Sequence, residues 1–314
     1  MERPILSARG AAGYLEALDN VLLLTHVRPD GDTIGSAAAL CRALRDCGQT
    51  AYLLPNPEIT ATYAPYAAPY WAPEGWQAEH IVSVDIADAS LLPENAQSYR
   101  DRIELAIDHH PSQTFFARNT CLEADSAACG EIVYEIIQHL TALTADIALP
   151  LYVAVSTDCG GFQYGNTTAR THRIAAALMD VVDVAAVNKA LFRTKSRVRL
   201  AMESRMVADM KLFDHQRVVV MEIPLSLRQE MQATDADIEE LSALPALVEG
   251  TDCGVTLREL RPGTVKVSVR TGPRVDACAL CRILGGGGHH AASGATVEGT
   301  LDEARMAVLA ADRK

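Results

Sequence analysis

The chain has 314 residues, of which 49% are hydrophobic and 22% are charged, and its formal net charge is −12. This length is too great for one ordinary core and predicts two domains. The negative charge argues against non-specific electrostatic binding of long nucleic acids, so duplex DNA is not an expected partner. No apolar stretch is long enough to span a bilayer, and the first residues lack the apolar core of a signal peptide. We therefore expect a cytoplasmic protein, without membrane contact, whose eight cysteines are reduced.

The first candidate site follows a short apolar run, residues 21–24, which is predicted to be a buried strand. His26, Asp30 and Asp32 come next, ahead of a helical pattern over residues 34–44. Open α/β sheets bind their ligands in such strand-to-helix loops, and potential ligands this close together would repel one another without a cation. The alternative is a solvated acidic loop with a helix N-cap aspartate. That alternative explains Asp32, but it does not explain His26 and Asp30 together.

Three further apolar segments also lead into acid or imidazole groups. They are residues 81–84 before Asp85, residues 103–107 before Asp108, His109 and His110, and residues 146–155 before Asp158. Strands that alternate with helices predict a parallel sheet, with these strand ends at one edge. Each group alone could simply cap a strand. Four groups at equivalent strand ends indicate metal or phosphate chemistry.

The mixture of carboxylates and imidazoles indicates which metals to expect. Such ligands suit Mn²⁺, Zn²⁺ or Fe²⁺ better than Mg²⁺, and their number is sufficient for two ions that share a bridging carboxylate. Two ions about 3.5–4 Å apart can bind a phosphate, generate hydroxide and stabilise the leaving oxygen. The sequence contains no nucleophile elbow, P-loop lysine or dinucleotide-binding glycine fingerprint. The predicted reaction is phosphoester hydrolysis without a protein nucleophile.

Four motifs, in this order, resemble those of the DHH phosphoesterases: H-V-R-P-D-G-D-T-I-G-S, V-D-I-A-D, D-H-H-P and S-T-D-C-G-G-F. The resemblance implies two divalent ions, for which we expect Mn²⁺, with Asp85 as the bridging ligand. The ligands that it implies are His26, Asp30 and Asp85 for one ion, and Asp32, Asp85, His109 and Asp158 for the other. His110 would face the scissile phosphate as a catalytic residue. Asp108 would orient the two histidines from behind.

The C-terminal part carries a second candidate site. A predicted helix over residues 275–284 leads into four glycines and a histidine. The backbone N–H groups of the glycines and the histidine side chain can bind a phosphate. The alternative is a flexible linker, which is the usual interpretation of a lone glycine run. The stretch G-G-G-H-H-A-A-S-G resembles the signature of the DHH-associated C-terminal domain. By this resemblance the substrate-binding residues are Arg270, Gly286, Gly287, Gly288 and His289.

The predicted fold is an α/β parallel-sheet domain with helices on both faces, residues 1–192. A helical linker, residues 193–215, joins it to a smaller C-terminal α/β domain with a mixed sheet, residues 216–314. Two such domains without a further module resemble the bacterial oligoribonuclease and 3′-phosphoadenosine-5′-phosphate phosphatase group. This resemblance implies short single-stranded RNA or an adenine nucleotide as substrate, in a cleft between the domains, and it is compatible with a homodimer.

Three alternatives stay open at this point. The first is a phosphodiesterase of cyclic dinucleotides or of their linear product. The second is a single-strand exonuclease of the longer DNA-processing type, which usually has extra domains. The third is a nucleotide-sensing module that binds without turnover, for which a degenerate ligand set would be expected. All the expected ligand positions are filled here, so we favour an enzyme.

Overall fold

The computed structural model of the protein describes residues 4–288 and 290–312, apart from the side chains of residues 239 and 240. The chain divides into two compact units, Met1–Thr194 and Lys195–Lys314. In the segment 193–215 the structure has one α-helix, Arg197–Ala208, and this helix belongs to the second unit. No helix in the described part of the chain has the length and apolar character needed to cross a membrane.

The first unit is built on a five-stranded sheet. Its strands are β1 (Val21–Leu24), β2 (Ala51–Leu53), β3 (His80–Val84), β4 (Ile103–Asp108) and β5 (Asn119–Leu122). They lie in the order β2-β1-β3-β4-β5, and every neighbouring pair is parallel. In a sheet of this order the winding reverses between β1 and β3, and ligands bind outside the carboxyl ends of the strands at that point.

Helices of the first unit cover the sheet. They are α1 (Ala8–Glu16), α2 (Gly31–Asp46), α3 (Ala64–Ala67), α4 (Cys129–Leu140), α5 (Ala145–Asp158), α6 (Ala169–Met179) and α7 (Ala185–Asn188). Successive strand residues point to opposite faces, so Val21 and Leu23 join a core with α1, α2, α4 and α5. Leu22 and Leu24 join a second core, which the short 3₁₀ helices Ala89–Leu91 and Glu94–Arg102 complete.

One predicted strand of the first unit is a helix. Residues 146–155 lie within α5, and Asp158 is the last residue of that helix, so the prediction that Asp158 follows a strand is wrong. A helix that is buried on nearly all sides shows no apolar periodicity, and its sequence therefore looks like that of a buried strand. The contact with α2 explains this burial. A Cβ at Gly35 would lie 2.2 Å from the carbonyl oxygen of Pro150, so the two helix backbones touch.

The second unit contains a mixed sheet, as the sequence predicts, and this sheet has six strands. Its strands are β6 (Lys211–Phe213), β7 (Val218–Ile223), β8 (Cys253–Arg261), β9 (Thr264–Thr271), β10 (Gly287–Gly288) and β11 (Ala292–Glu298). They lie in the order β10-β11-β9-β8-β7-β6, and only β7 and β8 pair in parallel. The α-helices are α8 (Arg197–Ala208), α9 (Leu225–Glu230), α10 (Asp235–Ile238), α11 (Ala277–Ile283) and α12 (Leu301–Asp312), and a 3₁₀ helix spans Glu239–Leu247.

Candidate metal centre

Three strand ends and one helix end bring the predicted ligands of the first unit together. The loops after β1, β3 and β4 and the end of α5 each contribute side chains. Their ligand atoms form three groups, and within each group the atoms lie within 4.8 Å of one another. The groups are His26, Asp30 and Asp85; Asp32, His109 and Asp158; and Asp85, His109 and His110. All six residues predicted to bind metal occur in these groups.

Asp85 lies at the centre of this cluster. Its Oδ2 is 3.8 Å from Nε2 of His26, and its Oδ1 is 3.6 Å from Nε2 of His109. These distances are too long for hydrogen bonds, but they suit neighbouring ligands around an ion with bonds of about 2.0–2.2 Å. The Oδ1 atom is buried and has no hydrogen-bond partner among the residues that the structure describes. A buried carboxylate oxygen without a partner is costly, so this atom fits a cation.

Backbone carbonyls fix the orientation of two imidazoles. The Nδ1 of His26 lies 2.7 Å from the carbonyl oxygen of Val27, and that of His109 lies 3.1 Å from the carbonyl oxygen of Ser126. A carbonyl oxygen only accepts hydrogen bonds, so Nδ1 carries the proton in both rings. The Nε2 lone pair of each ring is then available to a metal, which is the usual arrangement of histidine ligands.

Asp32 is held by backbone groups that are distant in sequence. Its carboxylate accepts hydrogen bonds from the N–H groups of Cys129 (2.6 Å) and Gly130 (2.9 Å), at the beginning of α4, and from the Ser36 hydroxyl (3.1 Å). Its Oδ2 lies 3.7 Å from Nε2 of His109. These two N–H donors cannot be predicted from the sequence, because backbone groups leave no signal in the residue types.

Asp30, not Asp32, is the N-cap residue of α2. Its Oδ1 accepts hydrogen bonds from the backbone N–H groups of Asp32 (3.0 Å) and Thr33 (3.2 Å). The interpretation of this loop as one with a capping Asp32 is therefore wrong. The same Oδ1 lies 3.6 Å from Nε2 of His26, so Asp30 both begins the helix and faces the first ligand group.

The carboxylates of the cluster repel one another. Burial, with the charge of Asp158 added, raises the pKa of Asp32 to about 8. Burial and the charges of Asp32 and Asp30 raise the pKa of Asp85 well above its usual range. Burial also raises the pKa of Asp158, although His109 opposes that change. These carboxyl groups therefore cannot all ionise side by side without a compensating positive charge, which a divalent cation would supply.

Asp108 supports the two histidines and is itself fully engaged. Its Oδ1 accepts hydrogen bonds from Nδ1 of His110 (2.8 Å) and from the N–H groups of His109 (2.8 Å) and His110 (3.2 Å). Its Oδ2 accepts one from Nε2 of Gln113 (2.6 Å), a buried residue that the sequence analysis missed. Because Nδ1 of His110 donates to Asp108, its Nε2 is the nitrogen that can meet a substrate.

The second unit contains a cavity of about 380 Å³, a size that suits a small ligand. Lys266, Ser268 and Arg270 line it from alternate positions of β9. Of these three residues only Arg270 is predicted above, and the two-residue period of a strand is the signal that identifies Lys266 and Ser268. Arg258 of β8 also lines the cavity and forms an ion pair with Asp235. Three cationic side chains make this cavity suitable for an anion.

The glycines of the candidate binding loop have different environments. Gly287 and Gly288 line the cavity. The N–H of Gly286 donates to the carbonyl oxygen of Cys281 (2.8 Å), and a Cβ at Gly286 would lie 2.1 Å from the carbonyl oxygen of Gly294. Gly286 therefore allows the close approach of β11. His289, the other predicted contact in this loop, lies outside the described residues.

The parallel sheet and the clustered carboxylates and imidazoles at its edge are typical of one class of protein, the metal-dependent α/β phosphoesterases. Comparison with known proteins agrees. The family model described as DHH family, N-terminal domain, matches residues 20–155. The bifunctional oligoribonuclease and PAP phosphatase NrnA of Thermus thermophilus is 32% identical over 98% of this chain and 93% of its own. The protein of the same name from Bacillus subtilis is 24% identical, over 89% and 90% respectively.

A solved structure supports the fold over the whole length. The exopolyphosphatase-related protein from Bacteroides fragilis superposes with a TM-score of 0.88 at 21% sequence identity, covering 98% of this chain and 95% of that one. The chain therefore belongs to the DHH phosphoesterase family, in its bacterial oligoribonuclease and PAP phosphatase group. It is a phosphoric ester hydrolase, as the sequence predicts.

Proposed function

We propose that the protein hydrolyses short oligoribonucleotides and 3′-phosphoadenosine 5′-phosphate at the candidate metal centre, with two divalent ions. The observation that carries this proposal is the buried Asp85 carboxylate, which is shared by two ligand groups and has an oxygen without a hydrogen-bond partner among the described residues. The substrate classes come from the names of the relatives in Thermus thermophilus and Bacillus subtilis. We propose Mn²⁺ because the ligands combine imidazole nitrogens with carboxylate oxygens.

The residues of the candidate metal centre have different proposed roles. His26, Asp30 and Asp85 would hold one ion, and Asp32, Asp85, His109 and Asp158 the other. When bound, such ions supply Lewis acidity toward a phosphate and toward a water molecule. Asp108 orients the His110 ring through the Nδ1–H, so that in the imidazolium form the N–H at Nε2 can donate a hydrogen bond, or its proton, to a phosphate oxygen. No side chain of the chain is needed as a nucleophile.

The cavity of the second unit is proposed to hold another phosphate of the substrate. Arg270 and Lys266 supply positive charge, and Gly287 and Gly288 expose backbone close to the ligand. A cation pair on a strand face holds a phosphate through charge-assisted hydrogen bonds. His289 is proposed to contribute to the same contact, as its motif implies. These groups recognise phosphate rather than a base, so they do not select a sequence.

A turnover panel tests this function. The purified protein, first treated with a chelator, is supplied with Mn²⁺ and given 3′-phosphoadenosine 5′-phosphate, RNAs of two to five nucleotides, and a cyclic dinucleotide. We expect Mn²⁺-dependent release of phosphate from the first substrate and of mononucleotides from the second. Faster turnover of the cyclic dinucleotide would replace the proposal with the cyclic-dinucleotide alternative. Nucleotide binding without release of any product would contradict both.

A further inference from the structure

An exposed tyrosine lies in the loop that follows Asp158, a residue of the candidate metal centre. Tyr164 follows Asp158 by six residues, and 60% of its surface is exposed. A single exposed aromatic residue is ordinary on a protein surface, and by itself it would indicate nothing. Its surroundings are unusual, because the ring packs on a glycine backbone and hydrogen bonds fix the loop that carries it.

The ring of Tyr164 packs against the backbone of Gly160. A Cβ at Gly160 would lie 2.3 Å from Cε1 of Tyr164, so the ring rests on the backbone of the second residue after Asp158. Gly160 also has a positive φ of 56°, which side chains other than glycine rarely adopt. Only glycine combines this positive φ with the absence of a Cβ that would collide with the ring. The glycine therefore brings the aromatic ring close to a candidate ligand.

Hydrogen bonds hold the loop that carries the ring. The N–H of Tyr164 donates to the carbonyl oxygen of Cys159 (3.1 Å), and the carbonyl oxygen of Tyr164 accepts from the N–H of Thr167 (3.1 Å). The side-chain nitrogen of Asn166 donates to the carbonyl oxygens of Asp158 (3.1 Å) and Ala127 (3.0 Å). The loop is thus tied to α5 and to the segment before α4, the two elements that position ligands of the same group.

We propose that Tyr164 is a stacking platform for the nucleobase next to the scissile phosphate. This inference rests on the proposed function, since it names how the same site holds the nucleoside. The carboxylates and imidazoles of the ligand groups are proposed to bind ions and phosphate, so the base needs a separate surface. An aromatic ring held with an open face supplies that surface, and it accepts any base because every base has a π-face. Such a contact is consistent with action on short RNAs of any sequence.

The test compares two ligands that differ only in the base. Adenosine 5′-monophosphate and ribose 5-phosphate are titrated against the Mn²⁺-loaded protein by calorimetry. We expect Tyr164→Ala to weaken binding of the first about 5- to 150-fold, the range for loss of one stacked base, and to leave binding of the second unchanged. Tyr164→Phe should bind both ligands as the wild type does. Tyr164→Leu, which still covers Gly160, should behave like the alanine variant.

Several results would overturn the proposal. If the alanine and leucine variants lose affinity for both ligands equally, the ring only supports the metal centre. If the phenylalanine variant is as weak as the alanine variant, the hydroxyl rather than the ring makes the contact. Unchanged binding in every variant would also contradict stacking. Base-dependent binding in a wild-type protein that releases no product would refute the proposed function while leaving Tyr164 as the stacking residue.

Discussion

Replacing Asp85 by asparagine tests the centre of the cluster with little change of shape. Asp85 has a φ of +61°, and asparagine is among the few residues that tolerate this left-handed conformation. The change removes one charge from the carboxylate that occurs in two of the three ligand groups. We predict that Asp85→Asn abolishes turnover and loses most of the stabilisation by Mn²⁺, because both ions would lose a shared ligand.

The expected magnitudes follow from linkage. An ion at a concentration 100 times its dissociation constant stabilises the folded state by about 2.7 kcal/mol. For a unit of about 150–250 residues, each kcal/mol raises the melting temperature by about 2–4 °C. The wild-type protein should therefore gain about 5–11 °C from one ion. The variant should gain little.

Without metal, the Asp85→Asn variant should be at least as stable as the wild-type protein. The raised pKa of Asp85 means that the folded protein keeps a proton which the unfolded chain releases above about pH 4. The unfolded state then binds fewer protons, so stability falls as the pH rises to neutral. Asparagine has no such penalty. At pH 7 without metal, the variant should melt at or above the temperature of the wild type.

Thermal unfolding with and without Mn²⁺, after treatment with a chelator, measures both effects, and turnover is followed in parallel. Asp88→Asn is the matched control. Asp88 is three residues further along, it accepts a hydrogen bond from the N–H of Ser90, and it belongs to none of the ligand groups found among the described residues. An Asp85→Asn protein that gains as much from Mn²⁺ as this control would refute the assignment of Asp85 as a shared ligand.

Two further predictions concern proton transfer and helix packing. His110→Gln should lower kcat about 10²–10⁴-fold, as expected for a lost general acid, yet keep the Mn²⁺-induced rise in melting temperature. Loss of that rise would instead make His110 a ligand. Gly35→Ala should destabilise the protein by about 1–3 kcal/mol in chemical denaturation, because its Cβ would meet the carbonyl oxygen of Pro150. Gly13→Ala is the control, because a Cβ there meets no described atom within 4 Å, and it should stabilise α1 by about 0.5–1 kcal/mol. Equal effects at both positions would contradict the contact between Gly35 and Pro150.

Short contiguous motifs made much of the cluster predictable. The chain after β1 supplies three side chains within seven residues, and the D-H-H motif supplies three more. Strand ends in a parallel sheet meet at one edge, so a correct prediction of β1, β3 and β4 was sufficient to bring these motifs together. Asp158 joined the same cluster although its element was predicted wrongly. A buried helix that points its last turn at the sheet edge delivers a side chain to the same place.

The supporting contacts were not predictable in the same way. The N–H groups of Cys129 and Gly130 are backbone atoms, present at every residue, and their use by Asp32 depends on where α4 begins in space. Gln113 is five residues from Asp108, but its role depends on a loop that returns it to the carboxylate. Such contacts follow from tertiary structure, and no local pattern of residue types encodes them.

The two acids of one ligand group lie at opposite kinds of helix end. Asp32 lies in the first turn of α2 and accepts hydrogen bonds at the beginning of α4, so two positive helix ends favour its charge. Asp158 ends α5, where the carbonyl groups concentrate negative charge. Both carboxylates nevertheless have raised pKa values, because both are buried, so a cation would compensate both. Since the carbonyl of Asp158 also anchors the loop of Tyr164 through Asn166, metal binding and the proposed base contact depend on the same turn of the chain.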